Sequence, residues 1–287
     1  MQHYRSLKGL SIPASWLTIG VFDGVHRGHR EILRHLVTGA HEENLPAVVL
    51  TFYPHPAIVL GKDNTIRYLT LPEEKASLLG DLGVDIVVTH PFDQVIASLP
   101  AEKFMQRLKA HLGVRRLVEG DDFALGKDRQ GNIPRLIEIG KTLGYEVQTI
   151  PTVLNGEERI SSRLIRSRLA AGQVAEAAAA LGRYYTLSGP VVHGDGRGRK
   201  IDIPTANIAY PAEKVIPANG VYACWAWVGG RRHPAVTNIG LRPTFTPQAQ
   251  HPHIETHLLD FRNDLYGQHL TLEFVARLRE EKRFPSV

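Results

Sequence analysis

The feature that most restricts the fold is an alternation of two kinds of segment between Trp16 and Ile150. Four segments follow helical patterns, at 30–42, 72–82, 100–112 and 133–143. Five short runs rich in valine, isoleucine and leucine predict buried strands, at 17–21, 46–52, 84–89, 116–119 and 145–150. Alternation of strands and helices predicts an α/β fold, in which helices cover both faces of a parallel, Rossmann-like sheet.

The carboxyl-terminal part of the sequence has a different pattern. Residues 162–181 are helical and alanine-rich, which is typical of a connector. Beyond Tyr185, short strand-like runs follow one another, at 186–193, 221–228, 233–239, 253–259 and 269–274. Gly229 and Gly230 between two runs predict a hairpin turn. Short strands with Gly/Pro-rich connections predict a compact barrel or sandwich, so we expect one domain over 1–184 and a second over 185–287.

Composition limits the classes of function. A length of 287 residues allows two domains, and a net charge of +5 suits a protein that handles anions. The basic residues are spread along the chain without RNA-binding aromatic motifs, so nucleic acid is not an expected partner. A single cysteine, Cys224, excludes an intrachain disulfide and fits a reducing compartment. No apolar run approaches the length of a membrane span, so we expect a cytoplasmic protein, with a weak homo-oligomer left open.

Two histidines directly after the first predicted strand are the leading candidates for binding an anion. His26 and His29 are three residues apart, and this spacing places them on one face of the first helical turn. Unpaired N–H groups at a helix start attract phosphate, and Gly28 lets the backbone come close. Two other interpretations are scattered surface histidines and part of a zinc site. With one cysteine, no Cys–His zinc pattern is available.

Three groups of residues in the carboxyl-terminal half suggest phosphate chemistry of their own. Residues 189–200 alternate glycines with basic residues, as in a loop around phosphates or in a plain solvated turn. Thr205 and Asn207 share one face of an extended segment, where a hydroxyl and an amide oxygen suit magnesium. Glu255 lies in an alternating segment. It is either a surface charge on a strand or a general base for an attacking hydroxyl.

Together these segments resemble the bifunctional bacterial riboflavin kinase/FMN adenylyltransferases, a family also called FAD synthetases. The resemblance runs from about Trp16 to Phe284 and keeps the family's order of motifs. Seven stretches carry it: IGVFDGVHRGH (19–29), TFYPHP (51–56), EGDDFALGKDRQGN (119–132), ISSRLIRSRL (160–169), GRGRKIDIPTAN (196–207), NIGLRPTF (238–245) and IETHLLDF (254–261).

The resemblance implies that the amino-terminal domain transfers an adenylyl group from ATP to FMN. His26 and His29 would neutralise the triphosphate, with Arg166 and Ser162 completing the anion clamp, and Asp122 would lie near the substrates. The glycine-rich turn would contact the nucleotide through Gly20, Phe22, Asp23, Gly24 and Gly28.

The resemblance also implies that a carboxyl-terminal β-barrel phosphorylates riboflavin to FMN with a first ATP. Thr205 and Asn207 would hold Mg²⁺, and Glu255 would act as the base. The nucleotide would be covered by a flexible loop that includes Gly194, Gly196, Arg197, Gly198 and Arg199.

Four departures from the family pattern keep other hypotheses open. Val21 replaces a usual asparagine, Arg163 a usual threonine, and Asp202-Ile203 a usual Gly-Phe. The sequence also ends before the carboxyl-terminal helix that family members usually have. One alternative is an FMN adenylyltransferase with weakened or lost kinase activity. Another is a non-catalytic flavin- or nucleotide-binding regulator. For the first half alone, a nucleotidyltransferase with another acceptor, such as phosphopantetheine, stays formally open.

Overall fold

The chain folds into two compact units, Met1–Ser161 and Ser162–Val287. A computed structural model describes residues 1–155, 158–194, 204–240 and 252–281. Within these ranges, no helix is both long enough and apolar enough to cross a lipid bilayer.

The first unit alternates strands and helices, as its sequence predicts. Its strands are β1 (Gln2–Tyr4), β2 (Ser15–Ile19), β3 (Ala47–Tyr53), β4 (Ile86–Pro91), β5 (Val114–Gly120), β6 (Ala124–Leu125), β7 (Gly131–Asn132), β8 (Glu146–Ile150), β9 (Leu154–Asn155) and β10 (Glu158–Arg159). Its helices are α1 (Arg27–Glu42), α2 (Pro56–Val59), α3 (Pro72–Asp81), α4 (Gln94–Ser98), α5 (Ala101–Leu112) and α6 (Ile133–Leu143).

Six parallel strands form the central sheet of the first unit, in the order β1-β4-β3-β2-β5-β8. The predicted parallel α/β sheet is confirmed, and β1 adds an edge strand that the sequence analysis did not predict. Helices cover both faces. On α1, Leu33, Leu36 and Ala40 are buried against the sheet, and full burial of a leucine stabilises a fold by about 1.5–3 kcal/mol.

Close packing of α1 on the sheet depends on a glycine. A Cβ on Gly39 would lie 2.2 Å from the ring of Trp16 on β2. The helix therefore approaches the first strand closely, and this contact fixes the position of the helix whose amino end follows β2. The sequence signal is a single glycine within an otherwise regular helical pattern.

The second unit begins with two helices and continues into a barrel. The helices are α7 (Ser162–Ala170) and α8 (Val174–Leu181). The barrel strands are β11 (Tyr185–Val192), β12 (Ala206–Ile208), β13 (Gly220–Val228), β14 (Arg231–Gly240), β15 (His253–Leu258) and β16 (His269–Arg279).

The six strands close into an antiparallel barrel in the order β11-β12-β15-β14-β13-β16, with β16 pairing back to β11. The predicted barrel is confirmed. Gly229 and Gly230 form the predicted hairpin turn, since Val228 pairs with Arg231 and both glycines have positive φ. Side chains alternate between the interior and the surface, and Tyr222 and Phe274 fill the interior with their rings 5.4 Å apart.

The helical connector is two helices, and it packs with the barrel unit. The backbone N–H of Ala218 donates to the carbonyl of Leu169 on α7, and α8 lies against β16 and β11. The domain predicted from sequence over 1–184 includes residues 162–184, whereas in the structure they pack with the second unit. Which activity these residues serve stays a prediction.

Candidate active sites

The first candidate site lies where the order of the parallel sheet reverses. From β2 the chain moves to β3 and β4 on one side, whereas β5 and β8 lie on the other side. Ligands of open α/β sheets bind at the carboxyl ends of the strands at such a reversal. Two loops leave the sheet there, residues 20–26 after β2 and residues 121–123 after β5.

The loop after β2 has a strained backbone. Phe22, Gly24 and Val25 have φ values of 48°, 82° and 42°. Left-handed backbone at a bulky or β-branched residue costs of order 1–3 kcal/mol and persists only where the surroundings hold it. Contacts of this loop with the rest of the unit must therefore compensate for the strain.

Asp23 supplies one of those contacts. Its buried carboxylate accepts hydrogen bonds from the backbone N–H groups of Leu69 and Thr70, both at 3.0 Å. The N–H of the next residue, Gly24, donates to the hydroxyl of Thr70 at 2.9 Å. The structure thus places Asp23 and Gly24 against the segment before α3. Direct contact of either residue with the nucleotide stays a prediction.

The two histidines come together at the start of α1. His26 is the N-cap residue, and its Nδ1 accepts from the backbone N–H of His29 at 3.3 Å. The two rings are stacked with their centroids 3.5 Å apart. Burial, the His26 ring and the positive charge of Lys75 lower the pKa of His29 well below its usual value. Among the described residues, the buried Nδ1 of His29 has no hydrogen-bond partner, so it is suited to a bound ligand.

The glycines around the histidines permit close contacts. A Cβ on Gly28 would lie 3.2 Å from the His26 ring, and a Cβ on Gly20 would lie 3.0 Å from the ring of Phe22. Phe22 in turn meets the ring of His29 edge-on, with the centroids 5.1 Å apart. Gly20, Phe22 and Gly28 are therefore placed to shape the histidine pair.

The remaining predicted residues of this site are divided between the units. Asp122 follows β5, and its exposed carboxylate accepts from the guanidinium of Arg159 at 2.5 Å. No sequence motif singled out Arg159. Ser162 begins α7 and Arg166 lies one turn further on, both in the second unit. Their part in an anion clamp stays a prediction.

The second candidate site lies on the outer wall of the barrel. Ala206 and Ile208 of β12 point inward, so Asn207 between them faces outward. Asn207 pairs across the strands with Glu255 of β15, and Glu255 pairs with Asn238 of β14. Thr205 precedes Asn207 by two residues, and the carbonyl of its neighbour Pro204 bonds to Nδ1 of His257 at 2.8 Å.

Gly194 lets the Asn207 side chain take its position. A Cβ on Gly194 would lie 2.2 Å from the amide nitrogen of Asn207, so only glycine fits there unchanged. Both residues line a cavity of about 290 Å³ beside Tyr210 and His253. The other predicted loop residues lie outside the described part of the chain: Gly196, Arg197, Gly198 and Arg199.

The two predicted oxygen donors of this segment suit magnesium by their chemistry, although Thr205 and Asn207 line different cavities. The hydroxyl of Thr205 and the amide oxygen of Asn207 are hard oxygen donors, and Mg²⁺ typically uses few protein ligands and completes its shell with phosphate and water. The carboxylate of Glu255 is next to Asn207 across the strand pair. The amide of Asn207 and the carboxylate of Glu255 thus lie side by side on paired strands, and their roles as magnesium ligand and base stay predictions.

Comparison with known proteins decides the family. The FAD synthetase family profile matches residues 11–164, and the riboflavin kinase profile matches residues 181–287. A bifunctional riboflavin kinase/FMN adenylyltransferase from Escherichia coli strain K12 is 41% identical over 94% of this chain and 86% of that protein. One from Bacillus subtilis strain 168 is 35% identical over 95% and 87%. The chain belongs to the bifunctional riboflavin kinase/FMN adenylyltransferase family.

A solved structure extends the likeness to the fold. A Streptococcus pneumoniae protein described as a macrolide-efflux protein has a TM-score of 0.91 and 30% identity, covering 99% of this chain and 93% of its own. The shared fold thus covers both segments that match the family profiles. The two family matches also coincide closely with the parallel-sheet unit and the barrel.

In this family member, two buried ionisable side chains beneath the first site were not predicted from the sequence. Lys75 on α3 donates through Nζ to the carbonyl of Val21 at 2.7 Å and to the Thr51 hydroxyl at 3.1 Å. Glu119 on β5 accepts from the backbone N–H of Ile19 at 2.7 Å. Burial lowers the pKa of Lys75 to about 8 and raises that of Glu119 well above its usual value. The sequence signal that could have revealed both residues is an ionisable side chain at a position where the helix or strand pattern predicts an apolar one.

Proposed function

We propose that the two units carry out successive ATP-dependent reactions. The barrel unit converts riboflavin to FMN, and the parallel-sheet unit converts FMN to FAD with a second ATP. The observation that carries this proposal is the agreement between two family matches and two separate sites, each with groups suited to phosphate. Riboflavin, FMN and ATP are accordingly the proposed small-molecule partners.

In the adenylyl transfer, a phosphate oxygen of FMN attacks the α-phosphorus of ATP. The new bond is the P–O–P link of FAD, and the bond to the β-phosphate breaks to release pyrophosphate. The phosphate of FMN is already ionised at neutral pH, so the step needs alignment and charge stabilisation more than a base. His26 and His29 donate ring N–H groups to the triphosphate at the amino end of α1.

In the phosphorylation, the 5′-hydroxyl of riboflavin attacks the γ-phosphorus of ATP. Glu255 takes the hydroxyl proton, a P–O bond to the ribityl chain forms, and ADP leaves. Asn207 and Thr205 would hold Mg²⁺, which neutralises phosphate charge when bound. The pairing of Asn207 with Glu255 across β12 and β15 supports this proposal, because it brings the carboxylate proposed as the base next to the proposed metal ligand.

The time course of product formation tests the proposed function. The full chain is incubated with riboflavin, ATP and Mg²⁺, and the flavins are separated at intervals. We expect FMN first and FAD after it. FAD from supplied FMN without FMN from riboflavin would instead show an adenylyltransferase whose kinase is lost. If neither FMN nor FAD formed, both assignments would be overturned and a flavin- or nucleotide-binding role would be left.

A further inference from the structure

The buried lysine beneath the first site has a position that the proposed reaction does not itself explain. Lys75 is 2% exposed, on the face of α3 that also buries Pro72, Ala76 and Leu79. Lysine is almost never fully buried unless it has partners. An apolar side chain would fill this face of the helix with no cost of burying a charge.

Lys75 bonds directly to the strained loop. Its ammonium donates to the carbonyl of Val21, and the Thr51 hydroxyl donates to the same carbonyl at 2.9 Å. The hydroxyl also accepts a hydrogen bond from Lys75. Three groups thus form a closed set of hydrogen bonds at the residue that immediately precedes Phe22, the first left-handed position.

The hydrogen bonds that involve side chains and hold this loop connect it to β3, to α3 and to the segment just before α3. Asp23 and Gly24 bond to residues 69 and 70, just before α3, and Val21 bonds to Lys75 within α3 and to Thr51 on β3. The loop leads directly into His26, the N-cap of α1. A change at Lys75 would therefore be transmitted through Val21 to the histidine pair.

The charge of Lys75 opposes folding at neutral pH. Burial lowers its pKa to about 8, with the carboxylate of Asp23 partly opposing that shift. A lysine whose pKa is lower in the folded state costs stability below that pKa, and the cost diminishes as pH rises from about 8 towards its unfolded value. A buried group that destabilises the fold and lies beside a candidate site is more typical of a residue that serves the activity than of one that stabilises the protein.

We propose that Lys75 is a positioning residue for adenylyl transfer, holding the carbonyl of Val21 so that the strained loop presents His26 and His29 to the triphosphate. This inference rests on the proposed function of the first unit. Its charge also adds positive potential beneath the anion site, since it acts on His29. Lys75 also interacts electrostatically with Asp23 in the loop and with His3 on β1.

The test compares Lys75→Met with Lys109→Met. Lys109 is a matched control, because its Nζ likewise donates two hydrogen bonds within the first unit, to the backbone carbonyls of Val114 at 2.7 Å and Gly144 at 2.8 Å. Val114 starts β5, at the end of the sheet opposite the site. We expect Lys75→Met to lower kcat/KM for adenylylation by about 10–10²-fold, the scale of a small misplacement of reacting groups. Lys109→Met should change it less than twofold.

Three further readouts separate positioning from general destabilisation. Riboflavin phosphorylation should stay within twofold in both variants, and the Tm of Lys75→Met should fall no further than that of Lys109→Met. In the unmodified protein, kcat/KM for adenylylation should fall as pH rises through about 8, because deprotonation of Lys75 removes its positive charge from beneath the anion site. Lys75→Met should lack that decline. Equal losses of activity in the two variants, or full activity of Lys75→Met, would overturn the proposal.

Failure of the proposed function would give a different result. The unmodified protein would then form no FAD from FMN and ATP. The role of Lys75 is in that case measured by calorimetric titration with a non-hydrolysable ATP analogue and Mg²⁺. We expect Kd to rise about tenfold in Lys75→Met and to stay constant in Lys109→Met. An unchanged Kd in both variants, or no binding to the unmodified protein, would overturn the inference.

Discussion

The two candidate sites are built in opposite ways. At the first site, Asp23 in the loop and Lys75 and Glu119 beneath it are at most 2% exposed, and the loop has left-handed backbone at bulky residues. On the barrel, Asn207 and Glu255 lie on the outer face of paired strands, partly exposed to solvent. The first site thus depends on buried charge to hold an unfavourable loop. The second uses the regular spacing of strands, which places polar groups side by side without strain.

This difference implies that changes in one site should leave the chemistry of the other intact.

The largest effect is expected for Glu255→Gln. Losing a general base typically costs about 10²–10⁴ in rate, so riboflavin phosphorylation should fall by that factor while FMN adenylylation stays within twofold. Both reactions are measured in the same preparation. Glu273→Gln is the matched control, because Glu273 is another barrel glutamate, paired with Arg232 at 2.7 Å. Equal loss in both variants would contradict the assigned base.

The reciprocal experiment is His29→Ala. Removing one charge-stabilising donor should lower adenylylation by about 10²–10³-fold and leave phosphorylation unaffected. His41→Ala is the control on the same helix, since His41 lies at the other end of α1 and pairs with Asp85 at 2.8 Å. If His29→Ala impaired both reactions equally, the two sites would not be independent.

A smaller effect should follow from Gly194→Ala. The added Cβ would displace the amide of Asn207, and changes that misplace a metal ligand typically cost about 10–10²-fold. Phosphorylation should decline by that factor and require a higher concentration of Mg²⁺. The double variant with Asn207→Ala distinguishes the cause. If Gly194→Ala acts through Asn207, the double variant should be no slower than Asn207→Ala alone.

The smallest effect concerns stability, and it tests a buried ionisable group of the first unit, Glu119. The raised pKa of Glu119 means that the folded state keeps a proton that the unfolded chain releases. Stability should therefore fall as pH rises above the unfolded pKa, by at most about 1.4 kcal/mol per pH unit. Glu119→Gln keeps the oxygen that accepts from Ile19 and should reduce this slope. Urea unfolding between pH 5 and 8 measures it, with the exposed Glu146→Gln as control. An identical slope in Glu119→Gln would contradict the expectation.

The sequence predicted the sheet and barrel well because both have a clear period of apolar residues. It missed β1, which has three residues and too few for a pattern, and did not list β12, also three residues long. The division of the connector into α7 and α8 also escaped it. These short elements are defined by their neighbours in space rather than by their own sequence.

Prediction of the sites had a similar limit. Motif spacing singled out His26, His29, Asn207 and Glu255, and the structure brings each pair together. Lys75 lies at a position where the helical period predicts an apolar residue. Periodicity alone gives no reason for a lysine there. Its partner, the carbonyl of Val21, is 54 positions away in the chain, so only the fold could show the contact.

The low pKa of His29 has a consequence for the way the proposed site receives ATP. The free protein offers the triphosphate a neutral imidazole, stacked on a second ring and close to the ammonium of Lys75. We expect a bound anion to favour the protonated ring, so that ATP binding takes up a proton and release of pyrophosphate returns it to solvent. The affinity for ATP should therefore depend on the acidity of the surroundings.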